Sequence, residues 1–320
     1  MEREILGIHH ITAIAGDPQA NIDFYSGTLG LRLVKLTVNF DDPGTYHLYY
    51  GDGAGTPGTI LTFFPWPKAP RGRHGTGQVT GTAFAIPANA VSYWTAQLKE
   101  HGVSFLGPLE RFGNDVVSFA DPDGMRIELI AGASVNDERA HRSGPVPLSY
   151  AIRGFHSATL SEEGYQKTAE LLTQTMGFKL VGQEGNRFRY AAASGGPGAL
   201  IDVLCAPEEG RGSVLAGTVH HIAWRTPDDA QQREWLGEIT RLGYNVSPVM
   251  DRKYFHSIYF REPGGILFEI ATDSPGFAVD EPPEQLGTSL VLPPWLEPRR
   301  AQLEAVLPPL RLPKPPQPVS

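Results

Sequence analysis

The sequence predicts an α+β protein assembled from four β-α-β-β-β modules, because it repeats itself at two scales. Thr28-Leu-Gly-Leu-Arg-Leu-Val34 returns as Thr175-Met-Gly-Phe-Lys-Leu-Val181, and Asp121-Pro-Asp-Gly-Met-Arg-Ile-Glu128 returns as Glu262-Pro-Gly-Gly-Ile-Leu-Phe-Glu269. Leu98-Lys-Glu-His-Gly-Val103 is echoed by Ile239-Thr-Arg-Leu-Gly-Tyr244. Internal repeats constrain architecture before any single element is placed. Residues 7–132 are thus duplicated as 150–272, each half a domain of two modules. The segment 133–149, with Ser134, Asn136, Asp137, Pro145 and Pro147, reads as a polar linker.

The last module shows the order of elements most clearly. Val219–Trp224 is a short strand-like run. Pro227-Asp-Asp opens a helix, since Pro and Asp both suit a first turn. Trp235, Ile239 and Leu242 recur at helical spacing, and Gly243 closes the helix. Tyr244–Pro248, Ser257–Phe260 and Ile266–Ile270 read as three strands, the last two split by the Glu262-Pro-Gly-Gly turn. The other modules begin near Gly7, Gly77 and Gly154 and follow the same order. Gly53-Ala-Gly-Thr-Pro-Gly58 sits between strands and precedes no helix, so it reads as a hairpin connection rather than a dinucleotide loop. Residues 273–320 form a proline-rich tail with a short amphipathic helix over Trp295–Leu307, and its last dozen residues read as extended or disordered.

Composition narrows the function. Of 320 residues, 41% are hydrophobic and 19% charged, enough for a real core. A net charge of -8 argues against nucleic acid or an anionic membrane as partner. The lone Cys205 forms no internal disulfide and no thiolate metal cluster. Met1–Leu6 has no apolar segment of the signal-peptide kind, and no apolar run approaches a membrane span, so a cytoplasmic location is the expectation.

The four modules can be compared with one another. At one position of their first strands they carry His10, Gly81, Ser157 and His221; on their last strands the matching polar positions are Thr62, Glu128, Asp202 and Glu269. Alternation lets only one member of a His-His pair face a given cavity. If modules one and four share a cavity, it gathers His10, Thr62, His221 and Glu269, whereas modules two and three offer no histidine. Two imidazoles and one carboxylate on one face of a metal is the arrangement common in non-haem Fe(II) oxygenases. A pairing of modules three and four would instead offer Asp202, His221 and Glu269, and a slip in register would bring His156 in place of His10.

His9-His-Ile-Thr12, Gly16-Asp17 and Asp23-Phe-Tyr25 resemble the vicinal oxygen chelate superfamily, of glyoxalase and bleomycin-resistance type. Tyr46-His-Leu-Tyr-Tyr50, Gly55-Thr-Pro-Gly-Thr59, Arg153-Gly-Phe-His156, Glu184-Gly-Asn-Arg187 and Pro263-Gly-Gly-Ile-Leu-Phe-Glu269 are more closely similar to its hydroquinone 1,2-dioxygenase-type ring-cleaving enzymes. The resemblance implies two domains of curved mixed sheets and Fe(II) held by His10, His221 and Glu269, with Mn, Zn or Ni as substitutes. It implies supporting roles for His9 and His220, substrate or O2 contact for Tyr259, a pocket arginine at Arg252, and His256 near the pocket edge. The implied reaction is O2-dependent cleavage of a 1,4-diol ring, in a chain that can form a homo-oligomer. Catechol cleavage, or a glyoxalase-like lyase or isomerase reaction, are the alternatives. The latter enzymes usually carry four ligands, and here the fourth position is Thr62.

Overall fold

In the computed structural model, which describes residues 3–132 and 136–313, four modules follow one another with one order of elements. The first is β1 (Ile8–Ala15), α1 (Pro18–Ile22) running into a π turn over Asp23–Thr28, β2 (Arg32–Val38), β3 (Tyr46–Gly51) and β4 (Ile60–Pro65). The second is β5 (Gln78–Pro87), α2 (Val91–Glu100), β6 (Phe105–Arg111), β7 (Asn114–Ala120) and β8 (Arg126–Gly132). The third is β9 (Phe155–Glu162), α3 (Gln166–Glu170) with its own π turn, β10 (Lys179–Glu184), β11 (Arg187–Ala191) and β12 (Leu200–Cys205). The fourth is β13 (Thr218–Thr226), α4 (Asp229–Arg241), β14 (Met250–Asp251), β15 (Phe255–Arg261) and β16 (Leu267–Pro275).

These strands form two eight-stranded mixed sheets, ordered β14-β15-β16-β13-β1-β4-β3-β2 and β10-β11-β12-β9-β5-β8-β7-β6. Modules one and four share the first sheet, and modules two and three share the second. Each sheet is joined by antiparallel pairing of two first strands, β1 with β13 and β5 with β9. Strand alternation sorts the faces. Ile11, Ile222, Trp224, Phe268 and Ile270 turn to an apolar core continuous across both sheets, which leaves His10, Thr12, His221 and Glu269 on the other face.

The helices are held by that core. A free 13-residue helix is marginal in water, but Trp235 and Ile239 of α4 are buried, at roughly 2 kcal/mol for each large apolar side chain. Asp228 caps α4 by accepting the Gln231 N–H at 2.9 Å, and Gly243, at φ +86°, ends it. Leu242 lies beyond the helix and is exposed, so it is not part of the apolar stripe expected of it. The strand expected over Tyr244–Pro248 is also absent. Ser247 Oγ accepts the Tyr259 N–H at 3.0 Å in place of a ladder carbonyl, and Pro248 has no N–H to continue. Gly53–Gly58 is the expected hairpin link: Asp52 Oδ1 accepts three successive N–H groups, from Ala54, Gly55 and Thr56.

The tail adds to the first sheet. Leu290 bridges Leu36 in parallel, and Val291 N–H donates to the Leu36 carbonyl at 2.9 Å. The helix expected over Trp295–Leu307 is shorter, α5 (Arg300–Val306), preceded by a 3-10 turn over Glu297–Arg299; Leu296, Leu303 and Leu307 are buried while Trp295 stays exposed. Of the last dozen residues, 314–320 lie outside the described residues. Arg311, just before them, donates its N–H to Gln19 Oε1 at 2.8 Å. No helix among the described residues is long and apolar enough to cross a membrane.

Asp121 ties the two sheets together. Its Oδ1 accepts from Asp123 N (2.9 Å) and Met125 N (2.8 Å), and its Oδ2 accepts from the Tyr25 hydroxyl at 3.0 Å. Burial outweighs these donors and pushes its pKa up to about 6 from 3.8. A raised carboxyl pKa contributes stability that is complete below pH 4 and lost as pH rises through 6. Two units correspond to roughly 3 kcal/mol. Asp121→Asn is therefore expected to flatten the fall in unfolding free energy between pH 4 and 7, read from urea midpoints of both proteins at each pH. Parallel curves for the two proteins would show that Asp121 does not titrate there.

Candidate metal centre

The two His-His pairs sit at matching irregularities of the β1–β13 ladder. Ile8 faces Trp224 but His10 faces Ala223, and Thr12 faces His221 but Ala13 faces Val219. One extra residue is thus inserted in each strand, His9 in β1 and His220 in β13. Bulges re-aim side chains beside functional sites. Here each extra histidine folds back on its neighbour: the Nδ1 atoms of His9 and His10 are 2.8 Å apart, as are those of His220 and His221.

That leaves the two Nε2 atoms free to converge. His10 Nε2 and His221 Nε2 are 3.3 Å apart, and Glu269 Oε2 lies 3.3 Å from the first and 2.9 Å from the second. Three ligand atoms about 2.1 Å from one ion, at right angles, would stand about 3 Å apart. Glu269 Oε2 is buried and makes no hydrogen bond of acceptable geometry, although two imidazoles approach it. Its other oxygen accepts a short hydrogen bond from Ser257 Oγ. Burial opposes the charge on Glu269, yet the adjacent imidazoles hold its carboxyl well below the usual range. Burial also keeps His221 below its ordinary value, against the pull of Glu269. Ionised carboxylate and neutral imidazole are the states a metal requires, so the residues present fit an ion.

A cavity of about 320 Å³ opens over these three residues, at the small end for ligand sites. Phe40, Phe64, Trp66, Phe255 and Leu267 give it apolar walls. Tyr259 faces Glu269 across the β15–β16 ladder, and its ring meets the His221 ring edge-on at 5.8 Å. Arg252 donates from Nε to the Tyr259 hydroxyl at 3.1 Å and from its terminal nitrogen to Asp41 at 3.0 Å. Burial, then the charge of Glu269, push the Tyr259 phenol well up, so it stays protonated.

His10, His221, Glu269, Tyr259, Arg252 and His220 therefore come together, and His9 stands behind His10 against Phe255, its ring 5.0 Å from that ring. His256 does not join them. Phe255 and Tyr259 line the cavity, so His256 points the other way, and its Nδ1 lies 2.7 Å from Asp229 of α4. The rival ligands are also elsewhere. Asp202 is clamped by Arg189 in the second sheet, and His156 sits there too, 3.0 Å from Ser157 Oγ.

His47 and Tyr49, given no role by the sequence, share the cavity-facing side of β3. His47 Nδ1 is 2.8 Å from the Tyr49 hydroxyl and its Nε2 2.8 Å from Thr62 Oγ1, which is 2.9 Å from Thr12 Oγ1. This chain of hydrogen bonds occupies Thr62, the fourth of the equivalent positions. The alternation His47, Tyr49 in Tyr46–Tyr50 was the available signal.

Residues 7–129 and 154–270 match the family model described as the Glyoxalase/Bleomycin resistance protein/Dioxygenase superfamily. The chain belongs to this superfamily. It is 51% identical over 312 residues to a Bacillus subtilis (strain 168) protein provisionally named ring-cleaving dioxygenase MhqO, covering 98% of this chain and 99% of that protein. It is 36% identical over 303 residues to the chlorohydroquinone/hydroquinone 1,2-dioxygenase of Sphingobium indicum, covering 93% of this chain and 94% of that one. These identities place the chain among the dioxygenases of the superfamily. A solved structure of a provisionally named dioxygenase from Bacillus subtilis superposes with TM-score 0.93 at 50% identity, over 98% of this chain and 100% of that one. Glyoxalase I of Zea mays shares the fold alone, with TM-score 0.63 at 16% identity over 84% of this chain and 92% of that one.

Proposed function

We propose that the protein is a non-haem Fe(II)-dependent dioxygenase that cleaves hydroquinone-type 1,4-diol rings, with His10, His221 and Glu269 as the iron ligands. The observation that carries this is the convergence of two Nε2 atoms and one carboxylate oxygen, about 3 Å apart, under an aromatic-walled cavity. The kinship with a chlorohydroquinone/hydroquinone 1,2-dioxygenase supports the choice of ring. Fe(II), held by His10, His221 and Glu269, would supply Lewis acidity and a route for electrons from a phenolic ring to O2, so that no external reductant would be needed.

The protein's own part is positioning. Phe64, Trp66 and Phe255 offer flat walls to a single ring. Tyr259, neutral and oriented by Arg252, presents a hydroxyl to a substrate oxygen, and the Arg252 cation favours the phenolate. With the Nε2 lone pairs of His10 and His221 turned to the ion, their Nδ1–H groups would donate to Nδ1 of His9 and of His220, 2.8 Å away in each case, which would fix that tautomer. His9→Ala and His220→Ala are each expected to lower iron affinity about ten- to a hundredfold, measured by competition with a chelator. Wild-type affinity in both variants would remove them from this role.

The test of function is O2 uptake after anaerobic loading with Fe(II), with hydroquinone, chlorohydroquinone and catechol compared and the protein-free rate subtracted. One O2 consumed per hydroquinone is the expected result. Uptake with catechol alone would make the protein a catechol-cleaving enzyme. No uptake with any diol, at one bound iron per chain, would favour a glyoxalase-like lyase or isomerase.

A further inference from the structure

The second sheet curls around a cavity of its own, of about 590 Å³, where the first sheet holds the metal centre. The register makes the correspondence: Gly81 faces Thr159 and Ala83 faces Ser157, with Glu128 beside Ala83 and Asp202 beside Thr159. Gly81, Ser157, Glu128 and Asp202 thus stand where the first sheet has His221, His10, Glu269 and Thr62. Even the bulges recur, at Thr80 and His156. No imidazole takes the ligand positions here, and guanidinium groups have moved in.

Arg111 donates to Glu128 Oε2 at 2.6 Å. Arg189 holds Asp202 through both oxygens, at 2.7 and 2.9 Å. Arg187 reaches Asp202 at 3.2 Å and Thr159 Oγ1 at 2.8 Å. Arg126 lines the same wall. Arg111, Arg126, Arg187 and Arg189 stand against Glu128, Asp202 and Glu184, which also acts on Arg111, so one positive charge is left over in a half-enclosed space. Burial, and the like charge of Arg111, depress the Arg187 guanidinium, whereas burial of Arg111 is outweighed by Glu128, Asp202 and Glu184, which hold it charged, so Arg187 is the under-compensated cation of the two. Around them the wall is apolar: Phe105, Leu106, Ile127 and Leu204.

We propose that this cavity is a second binding site, which takes an organic oxyanion, a carboxylate on an apolar body, between Arg111 and Arg187. Guanidinium groups bind the two oxygens of a carboxylate in a fork, strongly when shielded from water. An anion placed there relieves the Arg111–Arg187 repulsion, and the apolar wall takes the rest of the ligand. Inorganic phosphate shares the oxyanion chemistry but has no apolar body.

The test is calorimetric titration of the full chain with benzoate and separately with inorganic phosphate. Benzoate is expected to bind one per chain, with phosphate at least about tenfold weaker. Arg187→Gln is expected to weaken benzoate at least about tenfold. Leu106→Glu, at a position 70% exposed and so tolerant of charge, adds an anion at the mouth and is expected to weaken it too, which keeps the test open if Arg187→Gln fails to fold. No saturable heat at millimolar benzoate overturns the proposal. So does wild-type binding in both variants, phosphate binding as tight as benzoate, or loss of binding in His221→Ala with none in Arg187→Gln, which would put the carboxylate in the metal cavity.

Discussion

Glu269→Ala is expected to leave a folded protein that binds no iron and consumes O2 at least about a thousandfold more slowly. Glu269 is fully buried and is the only carboxylate among the three converging groups. Its removal would take away one of the three proposed ligands and the carboxylate charge among them, leaving two imidazoles that cannot compete with water for a ferrous ion. Glu269→Gln keeps the volume and one oxygen but not the charge, and is expected to fail nearly as badly. The two readouts are bound iron per chain and O2 uptake with hydroquinone, beside a circular dichroism spectrum that reports the fold. A Glu269→Ala protein that retained one iron and full turnover would sink the assignment.

The largest stability effect is expected at a site remote from the chemistry. Lys35 is completely buried on β2, where Nζ donates to Asp280 at 2.7 Å and, in a short contact, to Glu281, with the Tyr254 ring 4.9 Å away. Asp280 has other donors, Lys253 at 2.5 Å and the Tyr254 hydroxyl at 3.2 Å. Among the described residues Glu281 has Lys35 as its one salt-bridge partner. Lys35→Met therefore leaves a buried carboxylate without its cation, at a cost of about 3–5 kcal/mol. Arg32, three residues earlier on β2, keeps its own grip on the carbonyls of Pro283 and Leu286, so the tail stays tethered there. The check is the denaturant midpoint of Lys35→Met and of a double variant with Glu281→Gln. The double variant is expected to recover most of the loss, and an equal loss in both would show that the ion pair is not the cause.

Much of this was legible in the sequence because the fold is repetitive. The returning Thr-Leu-Gly and Asp-Pro-Asp-Gly signatures mark the modules, and comparison of like positions brings forward His10, His221 and Glu269, with Asp202 and His156 as rivals, before any geometry is known. The register supports that comparison residue by residue, since His10 and Thr12 stand to Ala223 and His221 as Ser157 and Thr159 stand to Ala83 and Gly81. His256 was misplaced for a simple reason of parity. With the strand begun at Ser257, His256 looks like a loop residue at the cavity edge; with β15 beginning at Phe255, it faces the helix. His47 and Tyr49 were hidden because their meaning lies in a partner fifteen residues on, Thr62, and in a cavity walled by strands of two modules. The bridge from Leu290 to the edge of the first sheet was hidden because a proline-rich tail shows no period of two.

The pairing of β1 with β13 also orders events during synthesis. The free edge of β1 emerges from the ribosome more than two hundred residues before its partner. At typical elongation rates that interval is roughly 10–40 s. Throughout it an exposed edge is open to wrong pairing. The second sheet needs only the contiguous stretch from Gln78 to Cys205, so it can be complete while the outer modules wait. The inner half then serves as a jig that brings the two chain ends within reach of each other. A nascent chain halted before Leu267 would own both histidines and no enzyme.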